Sequence, residues 1–224
     1  MRAHRSRGLS LVELLIGTTA GLVVVAAASS LVLQHLRESR AMLIDTRLTQ
    51  DLRTAADIVT RDLRRAGFWA SVASGVRGDD GSAAIVNPYG AVTTDPAASA
   101  SVRFSFSRDA GENGIVDGNE RFGFRLRGGA IELQLGDANW QALTDPATLV
   151  VTAFHVEPRV DEVSLAGFCA APCAAASATC PPRQQVRNLA VEITGHSAND
   201  ASVIYSVRSG VRLRTTSVVG DCEG

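Results

Sequence analysis

The chain is 224 residues long, 46% hydrophobic and 20% charged, with a formal net charge of -1. That length suits one ordinary domain plus an added element, or two very small domains, and the composition excludes a disordered chain. No basic excess is present, which disfavours a phosphate-tracking nucleic-acid binder; all 22 basic residues are Arg, which excludes Schiff-base and P-loop lysine chemistry.

The N-terminus departs sharply from that average. Residues 1–8 (MRAHRSRG) carry Arg2, Arg5, Arg7 and His4 and no acid. Leu9 to Leu33 then runs 25 residues with a single charge, Glu13. A helix of that length spans roughly 37 Å, more than the ~30 Å hydrocarbon core of a bilayer. The basic leader keeps the N-terminus cytoplasmic and places the chain beyond about residue 34 outside. Two conventional readings exist. One is a secretory signal with Ala26-Ala27-Ala28 as the small-residue cleavage site; the other is a plain membrane anchor. Neither explains Glu13, because a carboxylate four residues into an apolar helix is costly in lipid and marks a function with a partner.

RG-LSLVELLIG, from Arg7 to Gly17, resembles the type IV prepilin cleavage and methylation motif. The resemblance implies that a prepilin peptidase cuts between Gly8 and Leu9 and methylates the new amine on Leu9. Ser10, Leu11, Val12 and Glu13 fit the positions that follow. Leu9 departs from the commoner Phe, an apolar exchange. The resemblance gives Glu13 a role: it neutralises the terminal amine of a neighbouring subunit, a pairing that low dielectric strengthens. Gly17 and Gly21 form a GxxxG pair, by itself a weak signal for close helix packing.

Past Leu33 the composition turns polar, yet a helical period persists through Leu48, Leu52, Ala55, Val59, Leu63 and Ala66, a stripe along one face. No Pro or Gly interrupts residues 22–66, and Gly67 is the expected stop. The helix counted from Leu9 is therefore roughly 58 residues, about 87 Å. RDLRRAGF, Arg61 to Phe68, reads as an exposed charged helix end; it is also similar to the stretch at the same place in the PilW family of minor pilins.

Residues 69–100, rich in Gly, Ser, Ala, Asp and Pro, read as a connecting region. Strands are expected over 101–107, 121–127, 130–135, 148–156, 186–194 and 202–215, with Gly128-Gly129 as a two-residue hairpin turn. The expected fold is α+β and pilin-like: a long N-terminal helix, membrane-spanning in its first half, packed on an antiparallel sheet. Its parts are a leader at 1–8, an apolar helix at 9–33, an amphipathic helix at 34–67 and a β-rich periplasmic head at 68–224.

Within the head, Asp109 to Glu120 (DAGENGIVDGNE) partly matches a calcium-loop template. Asp109, Asn113, Asp117 and Glu120 are candidate oxygen ligands, while Gly111 fails one ligand position. The same residues also read as a solvated loop with turns at Asn113-Gly114 and Asp117-Gly118. No cofactor is required. Cys169, Cys173, Cys180 and Cys222 lie in the exported part, and their even number reads as two disulfides with three pairings open. A zinc site is disfavoured because only Cys169 and Cys173 have suitable spacing and no His is near. Motifs of metalloproteases, serine hydrolases, P-loop and dinucleotide enzymes are absent, and His4, His35, His155 and His196 are scattered, so no enzyme is expected.

The resemblance implies a single-pass inner-membrane minor pilin that later joins a pilus fibre and primes assembly for twitching, adhesion or DNA uptake. Its implied partners are the prepilin peptidase, other minor and major pilins and the inner-membrane assembly platform. A type II secretion pseudopilin shares the same N-terminus. A membrane-anchored or secreted binding protein is the reading of another class.

Overall fold

The computed structural model describes residues 10–75, 85–95, 100–108, 111–173 and 179–222. The chain divides into two compact units, Met1–Thr46 and Arg47–Gly224. One α-helix, α1 (Leu11–Leu63), runs through the boundary.

In the second unit the helical period expected from the sequence becomes a buried face. Leu48, Leu52, Ala55, Val59, Leu63 and Ala66 are all buried, joined by Ala56 and Thr60. Thr60 donates its hydroxyl to the Ala56 carbonyl at 2.8 Å, which removes the polar cost of placing it in the core. The helix closes at Leu63 and unwinds through a turn to Gly67, whose φ of 77° is the left-handed conformation that glycine adopts freely. Carbonyls at the unwound end find donors elsewhere in the unit. Asn87 Nδ2 donates to the Gly67 carbonyl at 2.8 Å, and the Thr215 hydroxyl donates to the Ala66 carbonyl at 3.3 Å. Thr215 sits so close that any Cβ on Gly67 would strike its Oγ1.

The β structure forms two antiparallel sheets. The first has five strands in sequence order: β1 (Val92–Thr94), β2 (Ser101–Ser105), β3 (Arg121–Arg127), β4 (Ala130–Leu135) and β5 (Trp140–Ala142). The second places β7 (Arg183–Ser197) between β6 (Leu149–Ser164) and β8 (Asp200–Arg212), with β9 (Ser217–Val219) also paired to β7. Gly128 and Gly129, at φ 59° and 78°, make the β3–β4 hairpin turn that needs two positive φ angles. Phe104, Phe122, Phe124 and Ile131 from the first sheet share one core with Phe154, Leu189, Val191 and Ile193 from the second, around the buried face of α1. The α+β arrangement, one long helix against antiparallel sheets, is the pilin-like architecture expected.

Several details differ from the sequence expectation. β6 extends to Ser164, eight residues past the expected end. Its second half, Glu157 to Ser164, is exposed throughout and shows no alternation that could reveal a strand. The short strands β1, β5 and β9 were not expected; each is three residues, too short for a period. The connecting region after residue 69 carries core residues, Trp69 and the fully buried Tyr89.

The four cysteines pair as Cys169–Cys222 and Cys173–Cys180, with Cα separations of 5.5 and 5.9 Å. The first closes 53 residues and ties the segment after β9 to the segment after β6. The Asp221 amide donates to the Thr179 carbonyl at 2.7 Å, and Gly220, at φ 84°, lies where a Cβ would collide with that carbonyl.

Two outcomes test this packing. Leu52→Ala empties a fully buried site and is expected to lower unfolding free energy by about 2–5 kcal/mol in urea titrations of the full chain. Cys222→Ser opens the long loop and is expected to cost about 4 kcal/mol by loop-closure entropy, against no change if the bond adds nothing to folding.

Candidate functional site

Within the first unit, α1 presents an apolar surface to its surroundings. The Leu14 amide donates to the Ser10 carbonyl at 3.1 Å, which opens the helix, and Glu13 lies in its first turn. Leu11, Val12, Leu14, Leu15 and Ile16 are exposed, as are Leu22 to Val25 and Leu31 to Leu33. The most apolar window has a mean hydropathy of 2.1, with none of it buried. The helix is long and apolar enough to cross a membrane. Three of its hydroxyls bond within the helix: Thr18 donates to Leu15, Thr19 to Leu15 and Ile16, and Ser30 to Ala27, all at 2.8–3.0 Å. Such bonds let Thr and Ser enter hydrocarbon without an unpaired donor. Glu13, Gly17 and Gly21 follow one another at four-residue steps, so they share a helix face. A Cβ at either glycine would meet nothing within 4 Å, leaving that face open for another helix. Gly8 and Leu9, the candidate processing residues, lie outside the described residues.

The candidate calcium residues are brought together only in part. Asp109 lies outside the described residues. Asn113 Nδ2 donates to Asp117 Oδ2 at 2.9 Å, and both side chains are exposed. Glu120 is fully buried. Its Oε1 accepts the Arg108 amide at 2.7 Å, and its Oε2 accepts the Asp117 amide at 3.0 Å, so it is committed to protein donors. Among the described residues no three His, Cys, Asp or Glu side chains converge as a metal site requires.

What surrounds Glu120 was not visible in the loop template. The Tyr89 hydroxyl lies 3.0 Å from Glu120 Oε2, 3.0 Å from Glu112 Oε1 and 3.1 Å from the Ile115 carbonyl. One hydroxyl hydrogen thus meets three acceptors. Burial and then the two carboxylates push the Tyr89 phenol far above its ordinary range. Burial works against ionisation of Glu112, but the Ser107 hydroxyl beside it, the Gly114 amide and the Tyr89 hydroxyl outweigh that and hold its carboxyl below its usual value. This node fastens the 111–120 loop to Tyr89. The only sequence signal for Tyr89 is an aromatic residue in a stretch otherwise rich in Gly, Ala and Asp.

Of the described histidines, His35 lies on α1 and His155 and His196 lie on β6 and β7, with no shared partner that would make a catalytic group. The cysteines serve as two structural cross-links.

Compared with known proteins, residues 41–213 match the family model described as prepilin peptidase-dependent protein B. No curated protein and no solved structure matches the chain.

The matched span includes the Tyr89 node, and titrating Glu112 tests it. A carboxyl whose folded pKa is depressed stabilises the fold above its unfolded value, about 4.3 for Glu, and loses that contribution as pH falls through the lower folded value. The urea midpoint of the full chain should therefore fall as pH drops below about 4.3. Glu112→Gln should remove part of that slope, and an unchanged slope would show that Glu112 carries none of it.

Proposed function

Because the chain belongs to the prepilin peptidase-dependent protein B family, we propose that it is a minor pilin of the PilW type that takes part in type IV pilus assembly. The observation that carries this reading is the character of α1. Its first part exposes an apolar, membrane-length surface with one carboxylate in the first turn, and its last part is the core helix of a disulfide-bonded β domain. A secreted binding protein would discard the first part as a signal, leaving Glu13 without purpose.

In the proposed course, the chain enters the inner membrane with residues 1–8 on the cytoplasmic side. The prepilin peptidase cuts between Gly8 and Leu9 and methylates the Leu9 amine. Loss of the three leader Arg residues takes the formal charge from -1 to -4. The helix then leaves the bilayer for the apolar interior of a fibre of like helices. Transfer from lipid to other apolar helices gains little from hydrophobicity alone, so packing and polar pairing must supply direction. Glu13 meets that need by neutralising the terminal amine of a neighbouring subunit, since either charge left alone in low dielectric is expensive. The open Gly17 and Gly21 face lies on the same side as Glu13 and admits a close neighbour. Residues 34–67 and 68–224 set the subunit's place among other minor and major pilins at the assembly platform.

N-terminal sequencing of the mature chain tests the first step. Methyl-Leu9 is the expected result, whereas Ser29 would mean secretion and Met1 a plain anchor. Glu13→Ala should leave insertion and cleavage intact and abolish incorporation into fibres. Normal piliation in that variant would sink the pairing mechanism. Surface pili lost on deletion of the gene would favour the pilus over a secretion pseudopilus.

A further inference from the structure

The second sheet ends on two long strands, β6 and β8, each paired only with β7, and their open edges differ chemically. An antiparallel ladder turns the N–H and C=O of alternate residues toward the neighbouring strand and the rest away from it. The Leu165 amide donates to the Pro182 carbonyl at 2.9 Å, continuing the β6–β7 register. Even-numbered residues in the exposed half of β6 therefore face outward, and Pro158 among them supplies no donor there. On the other side the Leu213 amide donates to the Arg187 carbonyl at 2.9 Å, continuing the β7–β8 register. Ile204, Ser206, Arg208, Gly210 and Arg212 therefore turn both backbone groups outward.

That stretch of β8 keeps a regular register with β7 from Ile204 to Arg212 and contains no proline. Among the described residues no strand covers its open side. The other outer strands, β1, β5 and β9, are three residues each, too short to template another. A long open edge without a missing donor is a template for one more strand. Val207, on the opposite face of β8, is packed against the core, so an added strand would extend a sheet that is already supported.

Side chains along this edge restrict what can join it. From Ala201 to Gly220 the chain carries Arg208, Arg212 and Arg214 and no acid. Arg208, Gly210 and Arg212 lie beside Glu192, Ala190 and Asn188 of β7, so the two arginines flank Gly210 on one face. Arg208 is 79% exposed although it reaches Glu192 at 3.0 Å. A Cβ on Gly210 would meet nothing within 4 Å, which leaves room over it for a partner's side chain. Full overlap with β8 of a second copy would set Arg208 against Arg208, a repulsive pair. A strand with carboxylates four residues apart would instead meet Arg208 and Arg212 together. We propose that the open edge of β8 takes an extended acidic segment of another protein as an added strand. Backbone hydrogen bonds supply the affinity, and the arginines select for acid. The inference goes beyond the pilus reading and stands or falls without it.

The test is calorimetric titration of the full chain in detergent micelles, against empty micelles, with the peptide acetyl-STEVYVETS-amide. Its glutamates are four residues apart, and its tyrosine falls over Gly210 when they face the arginines. Saturable binding is expected, weakening as salt rises. The same peptide with lysine at both glutamate positions should bind at least about tenfold more weakly. N-methylation of the tyrosine amide, which removes a ladder donor, should cost about tenfold as well. Ser206→Pro gives β8 the missing donor that Pro158 gives β6; it should leave the unfolding temperature near wild type and weaken binding about tenfold. The proposal is overturned if the acidic peptide does not saturate, if the lysine peptide binds as tightly, or if N-methylation leaves affinity unchanged.

Discussion

The second unit depends on burial of one helix face, Leu48 to Ala66, by both sheets at once. Leu52, Val59 and Leu63 are fully buried, and the aromatic residues of β2 and β3 and the aliphatic residues of β6 and β7 reach the same cluster. Each sheet alone would expose half of its apolar side chains, and the helix alone would expose its stripe. Burying a Leu or Phe side chain yields about 1.5–3 kcal/mol, so this shared core outweighs any of the surface ion pairs. The exposed Arg121–Asp137 and Arg159–Glu157 pairs add little by comparison.

Polar contacts then fix how the core is closed. Arg187 donates to the Gly90 carbonyl at 2.6 Å and to the Thr215 hydroxyl at 3.1 Å, and Thr215 in turn reaches the end of the helical segment at Ala66. Burial lowers the readiness of the Arg187 guanidinium to stay charged. Its partners are the neutral oxygens of Gly90 and Thr215. Tyr89, Glu112 and Glu120 do the same work at the other loop, and the Cys169–Cys222 bond holds the segment after β9. These contacts join pieces far apart in sequence, so none could be read from a local pattern.

The apolar end of α1 obeys a different constraint. There no described residue covers the apolar surface, and the Thr18, Thr19 and Ser30 hydroxyls bond within the helix, which leaves Glu13 as its one charged group. That contrast between a self-buried face and an exposed apolar one, carried on a single helix, fits a family whose members depend on a prepilin peptidase. The family match begins at residue 41 and so rests on the β domain and its helix, independent of the processing motif read at residues 7–17.

The sequence by itself determined the membrane-length segment, the odd carboxylate at Glu13, the buried stripe of α1 and the β3–β4 hairpin, while the helix it carried to residue 66 ends at Leu63 and only the positive-φ turn falls at Gly67. Each is a local signal: a run, a period of 3.6 or 2, or a glycine where φ must be positive. Only the tertiary structure decided that there are two sheets, which cysteines pair, that the second half of β6 is a strand, and that Glu120 turns inward to Tyr89 and backbone amides. Those features depend on which segments meet across long separations, and the free energy of such meetings resides in packing and donor–acceptor matching that no short window of residues contains.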